Sequence, residues 1–214
     1  MKKLGIGLLI AAAVLLLLVA IAGTVFYVRV YKPIGSPLMA MAGGKTLEEK
    51  RLQNHAEFTP PISRQVTAEQ TADFVAVEEA VEKNLGTNVT VLAPNQADLE
   101  RASTSNALSV RTTLLAFGNI KPVYLNAKTA QIDAMNRARF SKAEFEWVRR
   151  QLYSAAGLHW SQLDVSEVLE GLPDAAVKIR QFEPSRDVPE QNEQLARPHA
   201  SKLQAWLAFA FFGL

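Results

Sequence analysis

The chain contains 214 residues and no cysteine, with 23 basic and 21 acidic side chains. The lack of cysteine excludes a disulfide framework and any metal centre built on thiolate ligands. Four basic residues flank an apolar segment near the amino end, and the rest of the chain carries 19 basic and 21 acidic residues. A nucleic-acid-binding domain would be basic, so we expect no nucleic-acid partner.

The first predicted element is the uncharged segment from Leu4 to Val28. As a helix it would measure about 37 Å, more than the roughly 30 Å hydrocarbon core of a bilayer. A cleaved signal peptide is the alternative, but the apolar run continues beyond Ala20 and Ala22, the small residues of a possible cleavage site. The sequence therefore predicts a single-pass transmembrane helix with four basic membrane-flanking residues, Lys2, Lys3, Arg29 and Lys32.

The orientation and the lateral contacts of this anchor are also open to prediction. A short cationic amino end before a long apolar run resembles a signal-anchor, so we expect the remaining chain to be extracytoplasmic, in the periplasm of a cell envelope. Gly7 and Ala11 are small residues four positions apart, a spacing that lets transmembrane helices approach closely. They are candidates for packing against another membrane subunit.

The composition divides the chain into three parts. Residues 1–32 form the anchor with its basic flanks, residues 33–45 are expected to be a flexible tether, and residues 46–214 have the length of one helical soluble domain. The tether is inferred from the sequence Met-Ala-Met-Ala-Gly-Gly at Met39–Gly44.

Capping boxes give the strongest helix signals in the domain. Thr67 with Gln70 begins a helix whose apolar stripe ends near Gly86, and Ser141 with Glu144 begins another that ends at Gly157. Glu78 and Glu79 in the first of these helices are interpreted as a solvated face, because adjacent helical residues point in different directions.

Weaker signals predict the other elements. Residues 87–93 are expected to be an extended connector, and helices are expected at 94–118, 122–139, 161–171 and from Pro189 onward, with a restart at Pro198. Residues 173–186 are ambiguous. The predicted fold is all-α: one N-terminal transmembrane helix followed by a multi-helix bundle.

The last ten residues are apolar and too few to span a bilayer as a helix. We favour a terminal helix within the core, because exposed aromatic side chains would promote aggregation. The alternative is a docking surface for a partner or for the membrane interface, in which Trp206, Phe209 and Phe212 would be the binding residues.

Charge is segmented along the domain, and residues 101–150 carry a net charge of +6. Packing of complementary helices is the simpler explanation. The alternative is a basic face that meets an acidic partner or anionic lipid, with candidate binding residues Arg137, Arg139, Lys142, Arg149 and Arg150.

Motifs that carry chemistry are not found. The histidines His55, His159 and His199 lack metal-site spacing, and neither a nucleophile elbow nor a phosphate-binding loop occurs. We expect no cofactor, no metal and no enzymatic activity; a small-molecule ligand is left undecided. An enzyme would require buried ionisable residues that converge in a pocket, for instance His159 beside a carboxylate.

The sequence favours a non-catalytic, membrane-anchored interaction protein, an accessory or scaffold subunit of a larger membrane assembly. The alternative is a free-standing, chaperone-like envelope module that holds an apolar peptide or lipid in a groove lined by Trp206 and Phe209.

Overall fold

A computed structural model describes residues 32–86, 121–164 and 178–214. The helices are α1 (Lys32–Arg51), α2 (Ala68–Leu85), α3 (Lys121–Ala138), α4 (Lys142–Ala155), α5 (Glu190–Ala196), α6 (Ala200–Ala205) and α7 (Leu207–Phe211), and the strands are β1 (Trp160–Asp164) and β2 (Lys178–Phe182). The described part is therefore mostly helical with a small two-stranded sheet, and the prediction of an all-α fold is wrong.

The predicted transmembrane helix falls on residues that the structure does not describe. No helix within 32–86, 121–164 or 178–214 is both long and apolar enough to cross a membrane. Residues 4–28, with Lys2, Lys3, Arg29, Gly7 and Ala11, lie outside the described residues, as do the predicted connector at 87–93 and the predicted helix at 94–118.

The segment expected to be a flexible tether lies within α1. Its two glycines permit close packing: a Cβ atom built on Gly43 would lie 3.1 Å from Leu125 Cδ2, and one on Gly44 would lie 2.7 Å from Tyr124 Cε1. Glycine thus allows α1 to pack directly on α3. The sequence alone could not distinguish glycine that loosens a chain from glycine that admits a neighbouring helix.

Replacing Gly44 by alanine should therefore destabilise the fold. The new methyl group would overlap the ring of Tyr124, which is buried and cannot swing away. Overpacking of this kind costs about 1–3 kcal/mol, more than the gain of up to about 1 kcal/mol from removing a helical glycine. Urea unfolding measures the difference. Gly43→Ala is the matched control, because Leu125 presents only a half-buried methyl group; equal stability of both variants would contradict the packing argument.

The capping box at the start of α2 is confirmed. Thr67 Oγ1 accepts a hydrogen bond from Gln70 N, while Gln70 Oε1 accepts one from Thr67 N. At the other end Gly86 has a φ angle of +50°, which glycine adopts readily. The apolar stripe predicted for this helix is buried: it comprises Phe74, Val77, Val81 and Leu85.

Helix α4 begins as predicted at Ser141, whose Oγ accepts a hydrogen bond from Glu144 N. The Glu144 carboxylate accepts a hydrogen bond from Gln70 Nε2 at 2.7 Å and so links the starts of α4 and α2. The aromatic side chains of Phe74 and Phe145 meet at a ring-centroid distance of 5.4 Å. Helices α2, α3 and α4 thus enclose a common core with α1 packed on α3.

The helix predicted over 161–171 is wrong where the structure describes it. Ser161 lies in β1, which pairs antiparallel with β2 in a register that places Trp160 opposite Phe182. The two rings stack at a centroid distance of 4.0 Å. Ser161 resembles a helix N-cap locally, but its backbone pairs with a strand that follows in sequence after an intervening segment.

The carboxyl-terminal segment restarts at Pro198 as predicted, in a 3-10 turn between α5 and α6. Helix α7 packs on β1, and the large apolar side chains of the segment are buried in the core. The structure accordingly places Trp206, Phe209 and Phe212 in the interior, each 1% exposed. They form neither a docking surface nor the wall of an apolar groove in this fold.

Candidate functional site

A polar cleft of about 360 Å³ lies where α1, α3 and α4 meet the sheet and the chain's last residues. Each helix contributes side chains at helical spacing, so that one face of each borders the cleft. The residues of this polar cleft are Met41, Lys45 and Glu48 of α1; Tyr124, Lys128, Gln131 and Met135 of α3; Lys142, Phe145, Glu146 and Arg149 of α4; Gln162, Leu163 and Asp164 of β1; Arg180 of β2; and Phe212 and Gly213.

Glu48 bridges two lysines in the cleft. Its Oε2 atom lies 2.6 Å from Lys128 Nζ and its Oε1 atom lies 2.5 Å from Lys142 Nζ. Burial by itself would raise the pKa of Glu48, but the two ammonium groups outweigh this effect and hold the pKa below its ordinary value. Glu48 is therefore a carboxylate that ties α1 to both α3 and α4.

Lys128 is the buried member of this network. Its ammonium group donates to Gln131 Oε1 at 2.8 Å and to the main-chain oxygen of Gly213 at 2.9 Å, in addition to its ion pair with Glu48. An ammonium group has three donors, so all of them are used. Burial lowers the pKa of Lys128, while Glu48 opposes that shift.

A second ion pair joins Arg149, which lines the cleft, to Glu78, which is buried behind the cleft wall. Glu78 Oε1 lies 2.9 Å from Arg149 Nη2, and the two side chains are 0% and 2% exposed. Arg149 also donates to the main-chain oxygen of Leu214 and lies over the Phe145 ring. Burial raises the pKa of Glu78 to about 6, against the lowering effect of Arg149.

The buried pair corrects two expectations from the sequence. Glu78 is part of the core and not of a solvated face, and Arg149 cannot belong to an exposed basic surface. Three polar atoms here are buried without a hydrogen-bond partner in the part of the chain described. They are Glu78 Oε2, Arg149 Nε and the neighbouring Tyr153 Oη. Because the charged pair is buried, removal of either partner would be costly.

The other predicted basic residues do lie on the surface. Arg137, Arg139 and Arg150 are exposed, and their guanidinium groups form no ion pair or hydrogen bond with the residues that the structure describes. We call these three residues the basic rim. Lys142 is also exposed, but it lies at the polar cleft and is paired with Glu48.

Sequence reasoning missed Glu48, Lys128 and Gln131. The available signal was their position: Lys128 and Gln131 fall between the core residues Tyr124 and Met135 at helical spacing. A charged residue within an apolar stripe indicates either a buried ion pair or a site. The partner of Lys128, on α1, is about 80 positions away in sequence and could not be identified.

The sheet completes the cleft with an ion pair between Arg180 and Asp164, whose Nη2 and Oδ2 atoms are 2.6 Å apart. In all, five cationic and three carboxylate side chains line the cleft.

Metal and enzyme chemistry receive no positive support from the described residues. These residues contain no cluster of histidine and acidic side chains that could hold a metal ion. His159 does lie beside a carboxylate, Glu183, at 2.6 Å, but both side chains are about 70% exposed and outside the cleft. Comparison of the chain with protein-family models, with curated proteins and with solved structures gave no match.

Proposed function

We propose that this chain is a membrane-attached, non-catalytic interaction protein, an accessory subunit of a larger membrane assembly that binds an acidic surface of its partner through the basic rim. The observation that carries the proposal is the exposure of Arg137, Arg139 and Arg150 without compensating partners in the described part of the chain. Exposed, unpaired positive charge favours encounter with acidic surfaces.

The non-catalytic part of the proposal is supported by the pairing within the cleft. Both oxygens of Glu48 accept from lysines, and all three donors of Lys128 are used. Groups paired in this way hold helices together, which favours a structural role over proton exchange with a substrate. Buried ionisable residues do converge here, as they would in an enzyme, but each has a structural partner.

Attachment to the membrane is proposed from the sequence of residues 4–28, which are uncharged and long enough to cross the hydrocarbon core. Within this proposal the basic residues Lys2, Lys3, Arg29 and Lys32 flank the membrane, Gly7 and Ala11 contact a neighbouring subunit, and the remainder is periplasmic.

Charge reversal of the basic rim should release the partner. We expect the full-length chain, extracted from native membranes in mild detergent, to carry a stoichiometric membrane partner, and the variant R137E/R139E/R150E to lose at least nine-tenths of it because repulsion replaces attraction. Quantitative mass spectrometry of the captured proteins measures the loss.

The matched control reverses three exposed basic residues elsewhere, in the variant K83E/R186E/R197E. It changes the net charge equally and should retain the partner. Equal loss of the partner in both variants would show that total charge, and not the basic rim, governs binding. A chain captured without any partner would also contradict the proposal.

A further inference from the structure

We infer that the polar cleft binds a small free oxyanion, a molecule with a carboxylate or phosphate group, through Lys45, Lys142 and Arg180. The inference goes beyond the proposed function, because it concerns a ligand in the cleft and not a protein at the basic rim. Either can fail without the other.

The charge balance of the cleft supports an anion. Glu48 is shared by Lys128 and Lys142, so one carboxylate faces two ammonium groups. Arg149 is balanced by Glu78 behind the wall and Arg180 by Asp164. Lys45 and Glu146 complete the charged lining. Among the side chains that line this concave site, five cations outnumber three carboxylates, and this excess favours an anion.

The cleft also contains unused hydrogen-bond donors. Lys142 uses one of its three N–H donors in its ion pair with Glu48, and Lys45 forms no ion pair with the described residues. The two Glu48 oxygens are already occupied. A carboxylate or phosphate supplies the acceptors that these ammonium groups need.

The site is built on rigid elements and has a suitable size. Lys128 and Glu48 fix the base between α1 and α3, while the side chains of Lys142 and Arg180 are 53% and 58% exposed and can reach a ligand at the mouth. A volume of about 360 Å³ is within the range of small-molecule sites. The cleft thus combines a fixed base with accessible cations.

Titration calorimetry on the purified full-length chain tests the inference, with inorganic phosphate and acetate as probes at constant ionic strength. We expect saturable binding of at least one probe, and the tighter one identifies the anionic group. Lys142→Gln and Lys45→Gln should each weaken this binding at least tenfold. The control Arg150→Gln, at the basic rim, should leave it unchanged.

Lys45→Gln keeps the test interpretable if Lys142→Gln perturbs folding, since Lys45 is exposed and has no ion pair in the described part of the chain. The absence of saturable binding for both probes would overturn the inference. So would binding that Lys45→Gln leaves intact. Neither result depends on the capture of a partner at the basic rim.

Discussion

Removal of residues 203–214 should unfold the described part of the chain. The deleted segment includes six large, fully buried apolar side chains: Leu203, Trp206, Phe209, Phe211, Phe212 and Leu214. Burial of one such side chain contributes about 1.5–3 kcal/mol, so their sum rivals the total stability of a typical domain, about 5–15 kcal/mol.

The deletion would also remove hydrogen-bond acceptors from two buried charged side chains. Lys128 would lose the main-chain oxygen of Gly213, and Arg149 would lose that of Leu214. Buried donors left without acceptors cost further free energy. Urea unfolding of the truncated and full-length chains, followed by circular dichroism, measures the effect.

Single substitutions serve as graded controls for the truncation. Phe209→Ala should cost about 3–5 kcal/mol, since it empties a fully buried aromatic site. Leu207→Ala, at a half-buried position, should cost clearly less. A truncated chain with the unfolding midpoint of the full-length protein would show that the segment is dispensable for folding and would support the docking interpretation of the aromatic residues.

Glu78→Leu should destabilise the fold by about 3–5 kcal/mol. The substitution leaves the buried Arg149 without its carboxylate partner, although the main-chain oxygen of Leu214 and the Phe145 ring would still contact it. Removing one partner of a buried ion pair is far more costly than replacing both. The double variant Glu78→Leu/Arg149→Met should therefore recover much of the loss in urea unfolding.

An exposed ion pair provides the control for these substitutions in the buried pair. Lys202 and Glu79 lie 2.5 Å apart, but both side chains are about half exposed. Lys202→Ala should change the free energy of unfolding far less than Glu78→Leu does, because solvent screens an exposed ion pair. A loss in Glu78→Leu no larger than the loss in Lys202→Ala would contradict the buried charge.

The same carboxyl group gives a pH dependence with a defined sign. Burial raises the pKa of folded Glu78 to about 6, above its ordinary value of 4.5. Its contribution to stability is therefore full below pH 4.5 and is lost as the pH rises through 6, a change of about 2 kcal/mol at most. Glu48 contributes in the opposite direction because its pKa is lowered. The pH dependence of the unfolding free energy should therefore be compared with that of Glu78→Gln, which lacks the titrating carboxyl group at this position.

Local signals were sufficient for much of the helical architecture. Thr67 and Ser141 cap their helices through hydrogen bonds to the backbone amide three residues later. Gly86 likewise ends α2 through its own backbone conformation. Helical periodicity likewise predicted the apolar stripe of α2, which is buried in the structure because such a stripe must be covered. Such interactions are encoded within one or two turns and do not depend on distant residues.

Pairing across the chain was beyond these signals. The strand at Trp160–Asp164 exists because it meets β2 after an intervening segment, and the contact between Gly44 and Tyr124 depends on how α1 approaches α3. Periodicity reports which residues share a face but not what that face contacts. For this reason the sequence predicted a tether where the structure has part of α1, and a helix where residues 161–164 form part of β1.

Local patterns were enough to identify the uncharged segment at 4–28, the caps of α2 and α4 and the apolar character of the last ten residues. Tertiary structure alone decided that Glu78 and Arg149 are buried partners and that Glu48 joins Lys128 to Lys142. A charged side chain has the same sequence pattern on a solvated face as in a buried ion pair. Burial is stable only where a partner from elsewhere in the chain offsets the desolvation free energy of the charge.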